Sequence, residues 1–229
     1  MKKKLIIFGN GEIAEIANYY FNNQTNYLVS YFAVDKEFIK DDNFCKKPIV
    51  PFQEIEKKFT PDEYEFHVAI SYQKLNQLRE KKYNEAKMKK YKLASFISKN
   101  SHCNLDEITF GDNCFILENQ TIQNGVKIGN NVMIWSSNHI GHMTEIGDHT
   151  YISSHVVISG HCKIGSRCFF GVNSAVADFS KIEDDCFIGM SANVNRNLNK
   201  SSLAVNKSTD FYEEEHRLNK IIKKKFFKF

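Results

Sequence analysis

Residues 122–158 read IQNGVK IGNNVM IWSSNH IGHMTE IGDHTY ISSHVV I. Written in sixes, the stretch places isoleucine at the head of every group: Ile122, Ile128, Ile134, Ile140, Ile146, Ile152 and Ile158. The step of six extends both ways without a slip, from Phe110 and Ile116 through Ile164, Phe170, Val176, Ile182 and Ile188 to Val194, fifteen apolar heads in all. The fifth residue of each group is mostly small, as at Cys114, Val126, Val132, Thr144, Thr150, Cys162, Cys168, Ser174, Cys186 and Ala192. The second is often glycine, as at Gly111, Gly129, Gly141, Gly147, Gly165, Gly171 and Gly189.

A period of six fits neither the α-helix nor an alternating strand. It fits a parallel β-helix in which three hexapeptides close one triangular coil of eighteen residues. Each head then points inward onto its equivalent one coil away, the small fifth residue fits at a corner, and fifteen heads predict five coils. The register also accounts for Cys114, Cys162, Cys168 and Cys186 as small buried hydrophobes at the fifth position. None of the six cysteines forms a CxxC pair, so a zinc-ribbon or redox motif is not expected.

Ahead of the repeat, strands and helices alternate. Lys3–Phe8 is a short apolar run ending in Gly9-Asn10-Gly11. An amphipathic segment over Glu12–Phe21, a strand over Tyr27–Val34, a helical segment near Gln53–Lys58, a strand over Phe66–Ser71, a charged helix over Gln73–Lys90 and a strand over Lys92–Ile97 follow. This βαβ order predicts a small parallel, Rossmann-like α/β domain. The expected division is residues 1–100 for the α/β domain, 101–200 for the β-helix domain and 201–229 for a C-terminal, helical tail.

Composition is that of a soluble globular chain: 229 residues, 42% hydrophobic, 25% charged, net charge +4. The mild charge gives no reason to expect nucleic acid as a partner. The four-residue apolar run Leu5–Phe8 is too short for a signal peptide, and no apolar run could cross a bilayer, so a cytoplasmic location is expected. Gly9-Asn10-Gly11 is a phosphate-loop candidate before a helix N-terminus, though the complete G-x-G-x-x-G is absent because Ala14 follows. Asp35 ends the second strand, where an acid often meets a ribose. Together they favour a nucleotide-like ligand over a plain tight turn.

The stretches IIFGNGEIAEIA (6–17) and SSNHIGHMTEIGDHTYISSHVVISG (136–160) carry a resemblance. Over about residues 4–200 the chain resembles the sugar O-acyltransferase (sialic acid O-acetyltransferase-like) family, and within it the N-acetyltransferases of nucleotide-linked amino-dideoxy sugars for bacterial surface glycans. The resemblance implies a left-handed β-helix, a homotrimer, acetyl-CoA as co-substrate along the β-helix at the subunit boundary, and no metal. It implies Asn10, Gly11, Glu12, Asp35 and Lys36 as contacts to the nucleotide-linked amino sugar, and His142 as general base. Tyr151, Val172 and Gly189 fall where cofactor contacts are implied. Two departures stand out. Met143 follows the base where an acid or second histidine is usual, leaving Glu145, Asp148 and Asn138 as candidates to orient His142. The usual Gly-x-Pro-Ala-Lys closure is replaced by Ala204-Val205-Asn206-Lys207-Ser208.

Five of eight histidines lie within residues 139–161. His142 takes the third, outward position of its hexapeptide, and a neutral imidazole is suited to accept the proton of an attacking amine. His139 is a candidate for touching the sugar. His149, His155 and His161 take the fourth position on three different sides of the prism and cannot converge within one subunit. The alternatives are O-acetylation of a hydroxyl on a sialic-type acid, a zinc-dependent hydratase using histidines of adjacent subunits, and a non-catalytic sugar-nucleotide-binding protein. In the tail, DFYEEEHRLNKIIKKKFFKF (210–229) runs from acidic to basic, with Leu218, Ile221, Ile222 and Phe226 near helical spacing. It reads as a helix packed on the trimer or as a peripheral membrane contact.

Overall fold

The computed structural model describes residues 2–207 and 210–227, with side chains described as far as Lys225. The β-helix dominates it. Eighteen two-residue strands stack in parallel on three faces. Face one holds seven, from Phe96–Ile97 through Phe115–Ile116, Met133–Ile134, Tyr151–Ile152, Phe169–Phe170 and Phe187–Ile188 to Leu203–Ala204. Face two holds six, from His102–Cys103 to Asn193–Val194, and face three holds five, from Thr109–Phe110 to Lys181–Ile182. That makes six coils' worth of strands where the heads alone predict five. The stack takes in Phe96–Ile97, a pair expected in the α/β sheet, His102–Cys103 and the return strand Leu203–Ala204, none of which belongs to the run of apolar heads.

Every head from Ile116 to Val194 is buried and contributes to one core. Phe110 is the exception, 39% exposed, because its strand is the outermost of face three and has no coil beneath it. The fifth residues Cys114, Cys162, Cys168 and Cys186 are fully buried and unpaired, and burial pushes the Cys114 thiol up to about 12. The fifth position also has a bonding role. Thr144 Oγ1 donates to Ser159 O (2.9 Å), Thr150 Oγ1 to Gly165 O (3.1 Å), Gln120 Nε2 to Trp135 O (2.7 Å) and Cys162 Sγ to Ala177 O (3.2 Å), each fifteen residues on.

Each corner is closed by a left-handed residue at the fourth position. Positive φ recurs from Asn113 (54°) through Met143 (57°), His149 (64°), His155 (59°), His161 (56°) and Phe179 (61°) to Ser191 (56°). Asn, Asp and His are the side chains enriched there, which gives the histidine run a backbone reason.

The N-terminal sheet runs β3–β4–β2–β1–β5, with β1 (Lys3–Phe8), β2 (Tyr27–Val34), β4 (Lys47–Pro51) and β5 (Tyr64–Val68) parallel and β3 (Asn43–Phe44) antiparallel to β4. Helix α1 (Glu12–Gln24) follows the glycine loop as expected. The segment near Gln53–Lys58 forms only a three-residue 3-10 turn, Ile55–Lys57, since so short a piece cannot nucleate an α-helix. The charged helix α2 spans Gln77–Met88, its start delayed by three left-handed residues, Lys74, Leu75 and Asn76. The β3–β4 hairpin was not expected; its Pro48 and Pro51 are tolerated near a sheet edge.

The two parts dock through side chains that bond backbone. Asn113 exchanges two hydrogen bonds with Val68 (2.8 and 3.2 Å). Arg79, 1% exposed, donates to the carbonyls of His149 (2.6 Å), Thr150 (3.3 Å) and Asn131 (3.4 Å), and Asn76 donates to those of Arg167 and Cys168. All lie where face three turns into face one. The α/β domain therefore covers face one and that corner, and leaves the corner between faces two and three clear.

Of the expected C-terminal helix, Arg217–Ile222 is α-helical (α3) and Lys223–Phe227 continues as a π-helical turn; the acidic start, 210–216, is not helical. Leu218, Ile221 and Ile222 are 42, 46 and 47% exposed, and the expected apolar role of Phe226 lies outside the described side chains. Among the described residues no helix is long and apolar enough to cross a membrane.

Candidate active site

His142 sits on the corner between faces two and three, after the strand His139–Ile140 and before Glu145–Ile146. Its backbone is held on both sides, with His161 N donating to His142 O (2.8 Å) and Met143 N to Asn124 O (3.1 Å). The imidazole is exposed. It lies over Gly160, eighteen residues on, where an added Cβ would come within 2.7 Å of His142 Cε1. The ring of His161 packs edge-on against it at 4.8 Å, and Phe179 stacks on His161 at 4.9 Å.

None of the candidate orienting groups reaches His142. Glu145 pairs with Lys127 (2.9 Å), Asp148 accepts from Asn130 N (2.7 Å), and Asn138 is buried, accepting from Val156 N (2.7 Å). The atom that faces the ring is Gln123 Oε1, 3.0 Å from Nδ1 and 2.8 Å from the His142 backbone N. Gln123 was not singled out from sequence, although it occupies a second position where the repeat favours glycine. Gly160 could have been found by counting one coil from His142.

His139 is half-buried on the outer side of face two, between Thr121 and Val157 in the ladder. His155 is exposed on the corner between faces one and two. His149 is buried under α2, with Asn131 at 2.8 Å from Nδ1, and burial lowers its pKa. Among the described residues no group of three or more His, Cys, Asp or Glu side chains could hold a metal ion.

Asn10, Gly11 and Glu12 lie together beyond the carboxyl end of β1, exposed to solvent. Gly9, at φ 123°, makes the turn, and a side chain there would meet Ala69 O at 2.7 Å. Gly11 has open space around it. Asp35 and Lys36 follow the carboxyl end of the neighbouring β2, on the same edge of the sheet. Asp35 Oδ1 accepts from Lys82 Nζ (2.8 Å) and Gln53 Nε2 (3.3 Å) in the wall of a cavity of about 690 Å3 lined also by Lys81, Lys89 and Lys90 and by Glu37, Glu56 and Glu85. Glu12 instead lines a separate cavity of about 530 Å3 with Tyr19, Tyr20, Glu118 and Trp135.

Tyr151 and Val172 share a third cavity, about 470 Å3, on face one with Tyr72, Trp135, Phe169 and Met190. Tyr151 is only 5% exposed, stacked on Phe169 and met edge-on by Tyr72. Val172 is 39% exposed, and Gly189 is buried on the next coil, 3.3 Å from Ala204 O at its ideal Cβ. Within one chain, then, the face-one residues lie together, but His142 occupies the vertex opposite them.

Residues 125–160 match the family described as bacterial transferase hexapeptide (six repeats). The fold is shared with the acetyltransferase domain of PglB from Neisseria gonorrhoeae FA1090, at 15% identity and TM-score 0.77 over 88% of this chain and 96% of that one. A second structure of that domain, in complex with acetyl coenzyme A, gives 14% identity and TM-score 0.78 over 89% and 96%. A mutant of perosamine N-acetyltransferase from Caulobacter crescentus, in complex with CoA and GDP-perosamine, gives 19% and 0.78 over 90% and 97%. No curated protein matches in sequence.

Proposed function

We propose that the chain is an acyltransferase that moves an acetyl group from acetyl-CoA to the amino group of a nucleotide-linked amino sugar, with His142 as general base. The observation that carries the reading is an exposed imidazole, held on a rigid corner, in a fold shared along almost the whole chain with structures described as acetyltransferases. Acetyl-CoA would supply an activated thioester. Attack of the amine nitrogen on the acetyl carbon forms the C–N bond and breaks the C–S bond, and the thiolate departs, to be protonated by the proton His142 takes from nitrogen. His142 accepts the proton that the nitrogen loses, so no serine or cysteine nucleophile is required.

The aromatic and apolar wall of the face-one cavity suits the pantetheine arm, with Val172 at its rim and Gly189 beneath the next coil. Tyr151 contributes as part of the wall. The cavity beside Asp35, lined by both lysines and acids, and the loop Asn10–Glu12 share the carboxyl edge of the parallel sheet, where α/β proteins bind nucleotides. His139, on the outer side of face two, would flank the sugar. Because His142 lies opposite face one, the complete site requires His142 from one subunit and face one of the next, which is the reason to propose a homotrimer. The cell compartment proposed is the cytoplasm, where acetyl-CoA and sugar nucleotides are made.

The test is release of free thiol from acetyl-CoA with a panel of UDP-, dTDP- and GDP-linked amino sugars, with sialic acids as the hydroxyl control. Turnover of an amino sugar, reduced by about 10²–10⁴-fold in His142→Ala, is expected. Turnover of sialic acids alone would overturn the amine reading.

A further inference from the structure

We infer that Gln123 is the positioning residue of His142, fixing the imidazole as its Nδ1–H tautomer and leaving the Nε2 lone pair as the base; the inference rests on the acetyl-transfer reading for its catalytic meaning. The argument starts from the backbone. The His142 N–H can only donate, so the Gln123 side-chain atom 2.8 Å from it must be the carbonyl oxygen and not the amide NH2. That same oxygen lies 3.0 Å from Nδ1. A carbonyl oxygen cannot donate, so Nδ1 must carry the proton, and in the neutral ring Nε2 is then unprotonated. One oxygen thus reads the main chain and the ring together, and ties the ring's direction to the corner that carries it.

The rest of the corner supports the same orientation. Gly160 gives the ring room to lie flat along the stack, since any side chain there would meet Cε1 at 2.7 Å. His161 closes one side of the ring. Among the described residues, His161 meets the ring from the next coil, and Asp178 lies beyond Gly160, its Oδ1 accepting from Gly160 N at 2.9 Å. Neither supplies the Nδ1 partner. An amide is a neutral acceptor, so it sets the tautomer without the added basicity that a carboxylate confers.

The experiment is 15N–1H spectroscopy of the histidine side chains in the full-length protein, with the His142 signals identified by their loss in His142→Asn. The expected wild-type result is a neutral ring with Nδ1 protonated. Gln123→Ala is expected to release the ring to a mixture of tautomers and to lower kcat by about 10- to 100-fold, part of what a positioned base contributes, with KM nearly unchanged. Gln123→Glu keeps an acceptor at the same place; it should retain the tautomer and move the acid limb of the kcat/KM profile to higher pH. Wild-type tautomer and wild-type kcat in Gln123→Ala would overturn the inference. The spectra need no substrate, so absence of any turnover by wild-type protein would count against acetyl transfer while the tautomer still judges Gln123.

Discussion

At the residue scale, the hexapeptide asks more of its fifth position than small size. Thr144 Oγ1 donates to Ser159 O (2.9 Å) and accepts from Cys162 N (3.2 Å), so it joins two coils through one hydroxyl. Thr144→Val keeps the shape and removes both bonds in a fully buried setting; a loss of about 1–3 kcal/mol in chemical denaturation is expected. His67 makes a different prediction. It is fully enclosed, donates Nδ1–H to Ala94 O at 2.9 Å, and leaves Nε2 without a partner, so a second proton would have nowhere to bond. Burial pushes its pKa down to about 4. The unfolded chain binds that proton more readily, so stability is full above about pH 6.5 and falls as pH drops toward 4, by about 3 kcal/mol at the lower end. His67→Phe, in a site walled by Phe21 and Phe115, should flatten the acid slope of Tm against pH. The histidine run was legible in sequence as fourth positions on three sides of the prism. Its explanation, left-handed corners that histidine tolerates, needs backbone angles that periodicity does not report.

At the element scale, the heads of the repeat announced the β-helix because a six-residue period has one structural solution. The α/β elements were placed less well. Tyr27–Val34 was read at its true limits, whereas α2 began four residues late behind Lys74, Leu75 and Asn76, whose left-handed turn has no compositional mark. The docking of α2 is the exposed point of the architecture. Arg79 is buried with no carboxylate beside it, bonded to three carbonyls, and burial lowers its pKa to about 10. Arg79→Ala strands the His149 and Asn131 carbonyls and opens a cavity under Tyr151; we expect a loss of about 3 kcal/mol or more and faster protease cleavage between α2 and the first coil. A protection pattern identical to wild type in hydrogen exchange would contradict this role.

At the scale of the whole molecule, the candidate site was legible in its parts and not in its assembly. The base and the glycine loop could be marked on the sequence. That they stand on different sides of the chain follows only from the docking of the α/β domain, which covers face one and leaves the His142 corner clear. Light scattering is expected to give three times the 26.6 kDa chain mass. Mixing gives a sharper test. Gly11→Tyr should fold, since its added Cβ meets nothing within 4 Å, but should block the loop. Mixed oligomers of Gly11→Tyr and His142→Ala chains should regain activity that neither variant shows alone, because some boundaries pair an intact loop with an intact imidazole. No recovery would place the whole reaction within one chain. The coil itself sets a last condition. Partners in the ladder stand eighteen residues apart, as Ile122 does from Ile140 and Ile140 from Ile158. The rod therefore keeps phase like an indexed shaft. Adding eighteen residues between Asn113 and His142 would lengthen it and leave the imidazole pointing the same way. Adding six would advance the imidazole by a third of a revolution, to the edge where α2 is docked, with every local contact of the repeat still correct.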